Sequence, residues 1–261
     1  MRSGFHPIVL VVSALVLAAC GGERNASEQP GHELARVDTG GAAGRVVSVT
    51  GGGPVIQVLP GPAQFADSAM AIIEKMPPAQ RDMMKMMARN GPFSDKVAQV
   101  GGTLTATFWD RGASGDSVSG VADFKTQDGA SWRVVLNRVA PQDLSPMEPT
   151  FGGVATDLGY HGATGIHVPL VPAVRSAVSY WGTAEVYRNG QLVTNEAPAH
   201  VMMTSDTRGD DFAYKCWDCS RNPIEQLHLM LPPPEGKPYQ VPGGVLHVMW
   251  EKSQYQRRGA S

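Results

Sequence analysis

Apolar and polar residues alternate with period two over residues 103–109, 117–124, 132–139, 177–187, 191–194, 200–204, 226–231 and 245–251, with turn-forming residues between the stretches. Such alternation places one face of a strand against a core and turns the other away from it. Residues 45–50 and 55–59 also read as strands, around a Gly51-Gly52-Gly53-Pro54 turn. The period then changes. Phe65, Ala69, Ile72, Ile73 and Met76 recur at spacings of three and four, Pro77-Pro78 ends that helix and starts another, and Asn90-Gly91-Pro92 stops the second. The pattern predicts a mainly β domain, an antiparallel β-sandwich or partly closed barrel, with a helical hairpin at about 63–90 inserted near its start. Asn189-Gly190 predicts a type I′ hairpin, because both residues tolerate positive φ, and Gln127-Asp128-Gly129 predicts another turn.

Ahead of these elements, residues 8–19 form an apolar run broken only by Ser13, preceded by Arg2. Twelve helical residues reach roughly 18 Å, short of a hydrocarbon layer of about 30 Å, so the run reads as an export signal rather than a span. It closes on Leu17-Ala18-Ala19-Cys20, which resembles the lipobox of bacterial lipoproteins. The resemblance implies diacylation of Cys20, cleavage before it and acylation of the new amino terminus. Gly21 is not the aspartate that commonly holds such proteins at the inner membrane, so it further implies an outer-membrane anchor with the body facing the periplasm. Residues 21–44 are rich in Gly, Ala, Ser, Asn and Glu without apolar periodicity, as a flexible tether would be. The chain thus divides into a signal (1–19), a lipidated tether (20–44) and one folded domain (45–261).

Charge narrows the choice of partners. The formal net charge is −2, and loss of residues 1–19 removes only Arg2, leaving 21 basic against 24 acidic residues. Without a basic footprint, nucleic-acid binding loses its electrostatic basis. The expected partners are the membrane, through the anchor, and a further envelope protein.

The histidines carry the most information. Three lie in predicted strands and each is followed two positions later by methionine: His200 and Met202, His228 and Met230, His247 and Met249. On a strand each pair projects from one face, while Val201, Leu227, Leu229, Leu246 and Val248 point to the other. With 12 methionines in 261 residues, five histidines in the folded body would give about 0.2 such pairs by chance. Imidazole with thioether suits copper, Cu(I) above all, and the spacing resembles the His-x-Met elements of periplasmic copper carriers. The same residues would equally serve as hydrogen-bonded and space-filling core, provided the pairs lie apart.

Other candidates are local. Cys216 and Cys219 flank Trp217-Asp218 at a spacing that suits a disulfide in an oxidising compartment, with a metal or redox site as alternatives. Met83, Met86 and Met87 fall on one stripe of the second helix, as core or as a partner-facing surface. His161 and His167 sit in a Gly-rich loop and could close on one ion or simply hydrogen-bond. Residues 205–211 are polar without the ligand register of a calcium loop and read as a solvated turn. No nucleophile elbow, zinc-protease helix or phosphate loop is present. The leading expectation is a lipid-anchored binding protein that takes copper or another soft metal. An envelope interaction or assembly lipoprotein is the alternative, and an unrecognised hydrolase or redox enzyme the third. The anchor has its own test: Cys20→Ala should move the chain from the membrane to the soluble fraction of lysed cells, and persistent membrane retention contradicts the lipobox.

Overall fold

The computed structural model describes residues 44–61, 74–75, 77–78, 81, 93–112, 115–140, 153–161, 169–234 and 237–259, without the side chains of 160 and 161. Cys20, the tether, the stripe of Met83, Met86 and Met87, and His167 lie outside these residues, as does most of the expected helical hairpin. Where that hairpin is described, Arg81 N donates to Pro77 O at 3.0 Å. Among the described residues no helix is long and apolar enough to cross a membrane.

The described chain forms one antiparallel sheet. Its strands are β1 (Arg45–Thr50), β2 (Val55–Val58), β3 (Val97–Val100), β4 (Gly102–Asp110), β5 (Ser117–Lys125), β6 (Ser131–Val139), β7 (Gly153–His161), β8 (Val174–Arg188), β9 (Gln191–Ser205), β10 (Ile224–Leu231), β11 (Leu246–Trp250) and β12 (Gln254–Gly259). They follow the order β12-β1-β4-β5-β6-β8-β9-β10-β11-β2-β3, with β7 on β8 beside β6. The sheet curls into a half-barrel around a main core that includes Val47, Leu104, Phe108, Leu136, Tyr180 and Leu229.

The connection between β1 and β2 joins the two ends of the strand order. β1 pairs with β4, whereas β2, the next strand in sequence, pairs with β11 and β3 at the far end of the order. Between β1 and β2 the chain turns through Gly51-Gly52-Gly53-Pro54. A Cβ on Gly51 would lie 2.7 Å from the Trp250 indole, and Gly53 has φ 73°. The corner is fastened by Gly51 N donating to Leu104 O (2.8 Å) and Trp250 Nε1 donating to Gly102 O (3.1 Å). A side chain at Gly51 would push the indole away, so the corner is written in glycine.

β8 is the spine of the sheet. One edge pairs with β9 along most of its length, while the other is shared by β6, along the second half, and β7, along the first. At the handover Tyr180 Oη donates to Arg138 O at 2.6 Å, and Gly182 leaves room for it. The β8–β9 hairpin turns at Asn189 (φ 50°) and Gly190 (φ 80°), the left-handed pair that a type I′ turn demands.

The mainly β architecture matches the sequence pattern, and three details correct it. The expected strands at 191–194 and 200–204 are one strand, β9. Pro198 falls inside it, opposite Thr183, where β10 has not yet begun to pair with β9. A missing N–H is tolerated on an edge, so proline interrupts the pattern without interrupting the strand. The short β3, β7 and the last strand β12 were not anticipated. β12 is polar and largely exposed, with Arg257 bonded to Asp157 and lying over Tyr255. Finally, residues 205–211 are not a solvated turn, since Thr207 and Arg208 are buried.

The handover in β8 yields a prediction. A Cβ at Gly182 would stand 2.1 Å from both Arg138 O and Tyr180 Oη. Gly182→Ala should therefore cost about 2–4 kcal/mol, measured as a lower urea midpoint, whereas the same change at the open Gly129 turn is limited to its positive-φ strain.

Candidate functional site

Strand order brings the three His and Met pairs together. β9, β10 and β11 are adjacent, with His200 opposite Met230, Met230 opposite His247, Met202 opposite His228 and His228 opposite Met249. The six side chains make a checkerboard two residues deep and three strands wide on the outer face of the sheet. Directly opposed residues on neighbouring strands have Cβ atoms about 4.5–5.5 Å apart. Leu227, Leu229, Val201, Leu246 and Val248 occupy the inner core, as the alternation requires. All six checkerboard residues are buried, Met202 being the most exposed at 6%.

The imidazoles differ in their engagements. His200 stacks on Trp181, with centroids 3.5 Å apart and planes 12° from parallel, and its Nδ1 lies 2.8 Å from Tyr180 O. A carbonyl only accepts, so Nδ1 carries the proton there. His228 Nε2 lies 3.1 Å from Thr204 Oγ1, and its Nδ1 faces His247 Nε2 at 3.3 Å. Phe93 stands edge-on to His247 with centroids 5.7 Å apart. On the β2 side, Met249 packs with Ile56 and Val58 beneath Val97 and Phe212. The result is two imidazole nitrogens aimed at one another among thioethers and hydrocarbon.

Alongside this apolar lattice runs a polar belt. Gln226 Oε1 accepts from Thr207 N (2.9 Å) and Thr207 Oγ1 (2.7 Å), while its amide nitrogen donates to Asp206 and Glu251. Burial pushes the Glu251 carboxyl above its ordinary range against the opposing pull of Gln226 and Arg208. Arg208 lies over the Tyr214 ring at 3.8 Å and donates to the carbonyls of Phe212 and Ser94. Burial also raises the Tyr214 phenol. Most of these groups are held by one another and by backbone, which fixes the β9–β10 connection, while Arg208 Nε and Glu251 Oε1 have no hydrogen-bond partner among the described residues. Their signal in the sequence was the polar run itself, whose buried arginine composition alone does not reveal.

Cys216 and Cys219 form a disulfide within that connection. Its loop is tied to the start of β8 by Ala173 N donating to Trp217 O (2.7 Å) and Cys219 N to Ala173 O (2.8 Å). It is separate from the checkerboard and supplies no thiolate to it. His161 ends β7, and its side chain is not among those described.

Among the described residues no three of His, Cys, Asp and Glu gather as a metal site. A three-ligand centre at His228 and His247 therefore needs methionine sulfur, which selects for a soft ion. Two nitrogens each about 2.0 Å from a tetrahedral ion are separated by about 3.3 Å, the same distance that separates His228 Nδ1 from His247 Nε2.

The disulfide closes a very short loop. The double change Cys216→Ser with Cys219→Ser should lower stability by at most about 2 kcal/mol, read from chemical denaturation, while leaving the β-sheet circular dichroism in place. No protein-family model, no curated protein and no solved structure matches this chain.

Proposed function

We propose that this is a lipid-anchored protein of the outer membrane whose periplasmic half-barrel binds a soft metal ion, Cu(I), between His228 and His247 with methionine sulfur completing the site. The observation that carries this reading is the 3.3 Å approach of His228 Nδ1 and His247 Nε2 within a buried lattice of alternating His and Met on three adjacent strands. In the tautomer whose Nε2–H donates to Thr204 Oγ1, 3.1 Å away, His228 Nδ1 is the lone-pair donor. Met230, opposite His247, and Met202 and Met249, opposite His228, are the thioethers placed to join them. His200 anchors the edge of the lattice through Tyr180 and Trp181 instead.

Burial shapes the mechanism. Ligand exchange with a partner needs an accessible ion, and none of these side chains offers more than a sliver of surface. The arrangement favours retention, with uptake and release through local opening of the sheet face, over rapid hand-off. Apolar surroundings and thioether donors favour the singly charged, soft valence state.

Titration against a colorimetric Cu(I) chelator, on protein extracted in mild detergent, checks the reading. Wild type should take one equivalent. His228→Asn and His247→Gln, which preserve amide hydrogen bonding, should each weaken binding at least tenfold, about 1.4 kcal/mol. His200→Gln should change it less than threefold. Absence of binding in a folded wild-type sample would return all three histidines to packing, leaving the exposed Leu192 and Val193 of β9 as the candidate partner surface.

A further inference from the structure

Two short segments cover the His and Met lattice at β11 and are stitched to each other. The first is residues 93–96, ahead of β3, whose Phe93 stands edge-on to His247. The second is a small hairpin within the β9–β10 connection. Arg208 bridges Tyr214, Gly209 N donates to Ala213 O (2.9 Å), and Phe212 N donates to Gly209 O (2.9 Å). Its turn sets Phe212 against the cluster of Met249, Ile56 and Val58. Phe93 and Phe212 are each partly exposed, while His247 and Met249 are buried. Two bonds cross between the segments: Arg208 Nη2 donates to Ser94 O at 3.1 Å, and Tyr214 N to Asp95 Oδ1 at 2.8 Å.

The hairpin is fixed at its root and strained at its tip. At the root, Lys215 N donates to Thr207 O (3.0 Å) and Thr207 N to Gln226 Oε1 (2.9 Å). At the tip, Phe212 has φ 62°, a left-handed backbone that a bulky residue keeps only where its surroundings impose it. Arg208 contributes that constraint, since its Nη1 donates to Phe212 O. One guanidinium therefore holds the strained turn and ties the hairpin to the segment beside it. Removing its bonds releases both at once.

We propose that residues 208–214 are a flap that opens to admit a soft metal ion to His228 and His247, with Arg208 as its latch. This supplies the opening step of the Cu(I) reading and rests on it. While the closed form dominates, a larger open fraction speeds access in proportion and leaves the affinity of the closed site nearly unchanged.

Chemical labelling needs no metal, so it separates the flap from the ion. The full chain in mild detergent is treated with diethyl pyrocarbonate, and the modified imidazoles are located by peptide mass mapping. In Arg208→Met, which keeps bulk and drops the donors, His228 and His247 should react about tenfold faster than in wild type. Asp95→Ala, at an exposed position, removes only the second crossing bond and should speed them several-fold. His200, on the far strand of the lattice and stacked on Trp181, should keep its wild-type rate in both variants. In Cu(I) transfer to and from a colorimetric chelator, both variants should load and release faster at an unchanged Kd. Unchanged labelling of His228 and His247, or equal acceleration of His200 as in global unfolding, would overturn the flap. So would a weaker Kd at unchanged rates, the signature of a lost ligand rather than a lost latch. If the variants label faster but wild type takes up no Cu(I), the flap stands and the metal reading falls.

Discussion

Three strands meet where there is no room for a side chain. Gly182 lies against the Arg138 carbonyl and the Tyr180 hydroxyl at the point where β8 exchanges β7 for β6. That exchange lets a fifteen-residue strand serve as a common backbone for two shorter ones while keeping its other edge continuous with β9. The length of β9 in turn sets where β10 and β11 begin, and so which of their residues stand level with one another. The lattice of histidine and methionine is downstream of this junction, because a register shift of one residue in β8–β9 would send every imidazole to the opposite face.

The β9–β11 part of the sheet is unusual in having both faces buried. Leucine and valine fill the inside, as in any β core, but the outside carries imidazoles, thioethers and, a few ångströms further along, a hydrogen-bonded belt of Gln226, Asp206 and Glu251. Desolvating such groups is costly unless each finds a partner, and the partners here are specific: Tyr180 O for His200, Thr204 for His228, and His228 for His247. The belt and the lattice divide the polar work between hard and soft donors. Oxygen and amide groups hold the β9–β10 connection, while nitrogen and sulfur are left facing one another.

Much of this was written in local sequence. Alternation identified the strands that carry the core and assigned His200, His228 and His247 to the face away from Leu227, Leu229 and Val248. Asn189-Gly190 announced its turn through the two residues that accept positive φ. Adjacency of β9, β10 and β11 was not legible, because strand order is decided by long-range pairing and nothing in a His-x-Met triplet records its neighbour. Pro198 concealed the unity of β9, and the polar β12 has no alternation to detect, since it is held by main-chain bonds to β1. Arg208 misled through its charge. Its burial rests on two carbonyls and a tyrosine ring that only the folded chain assembles.

The final strand has a bearing on how the molecule lives among its copies. An open sheet offers its outermost backbone groups to any strand that drifts past. Along β12 that backbone is flanked by Arg257 and Arg258, both exposed. A second copy aligning there would press cation against cation before main-chain bonds could form. The β12 edge is therefore guarded against ribbon-like pairing by electrostatic repulsion.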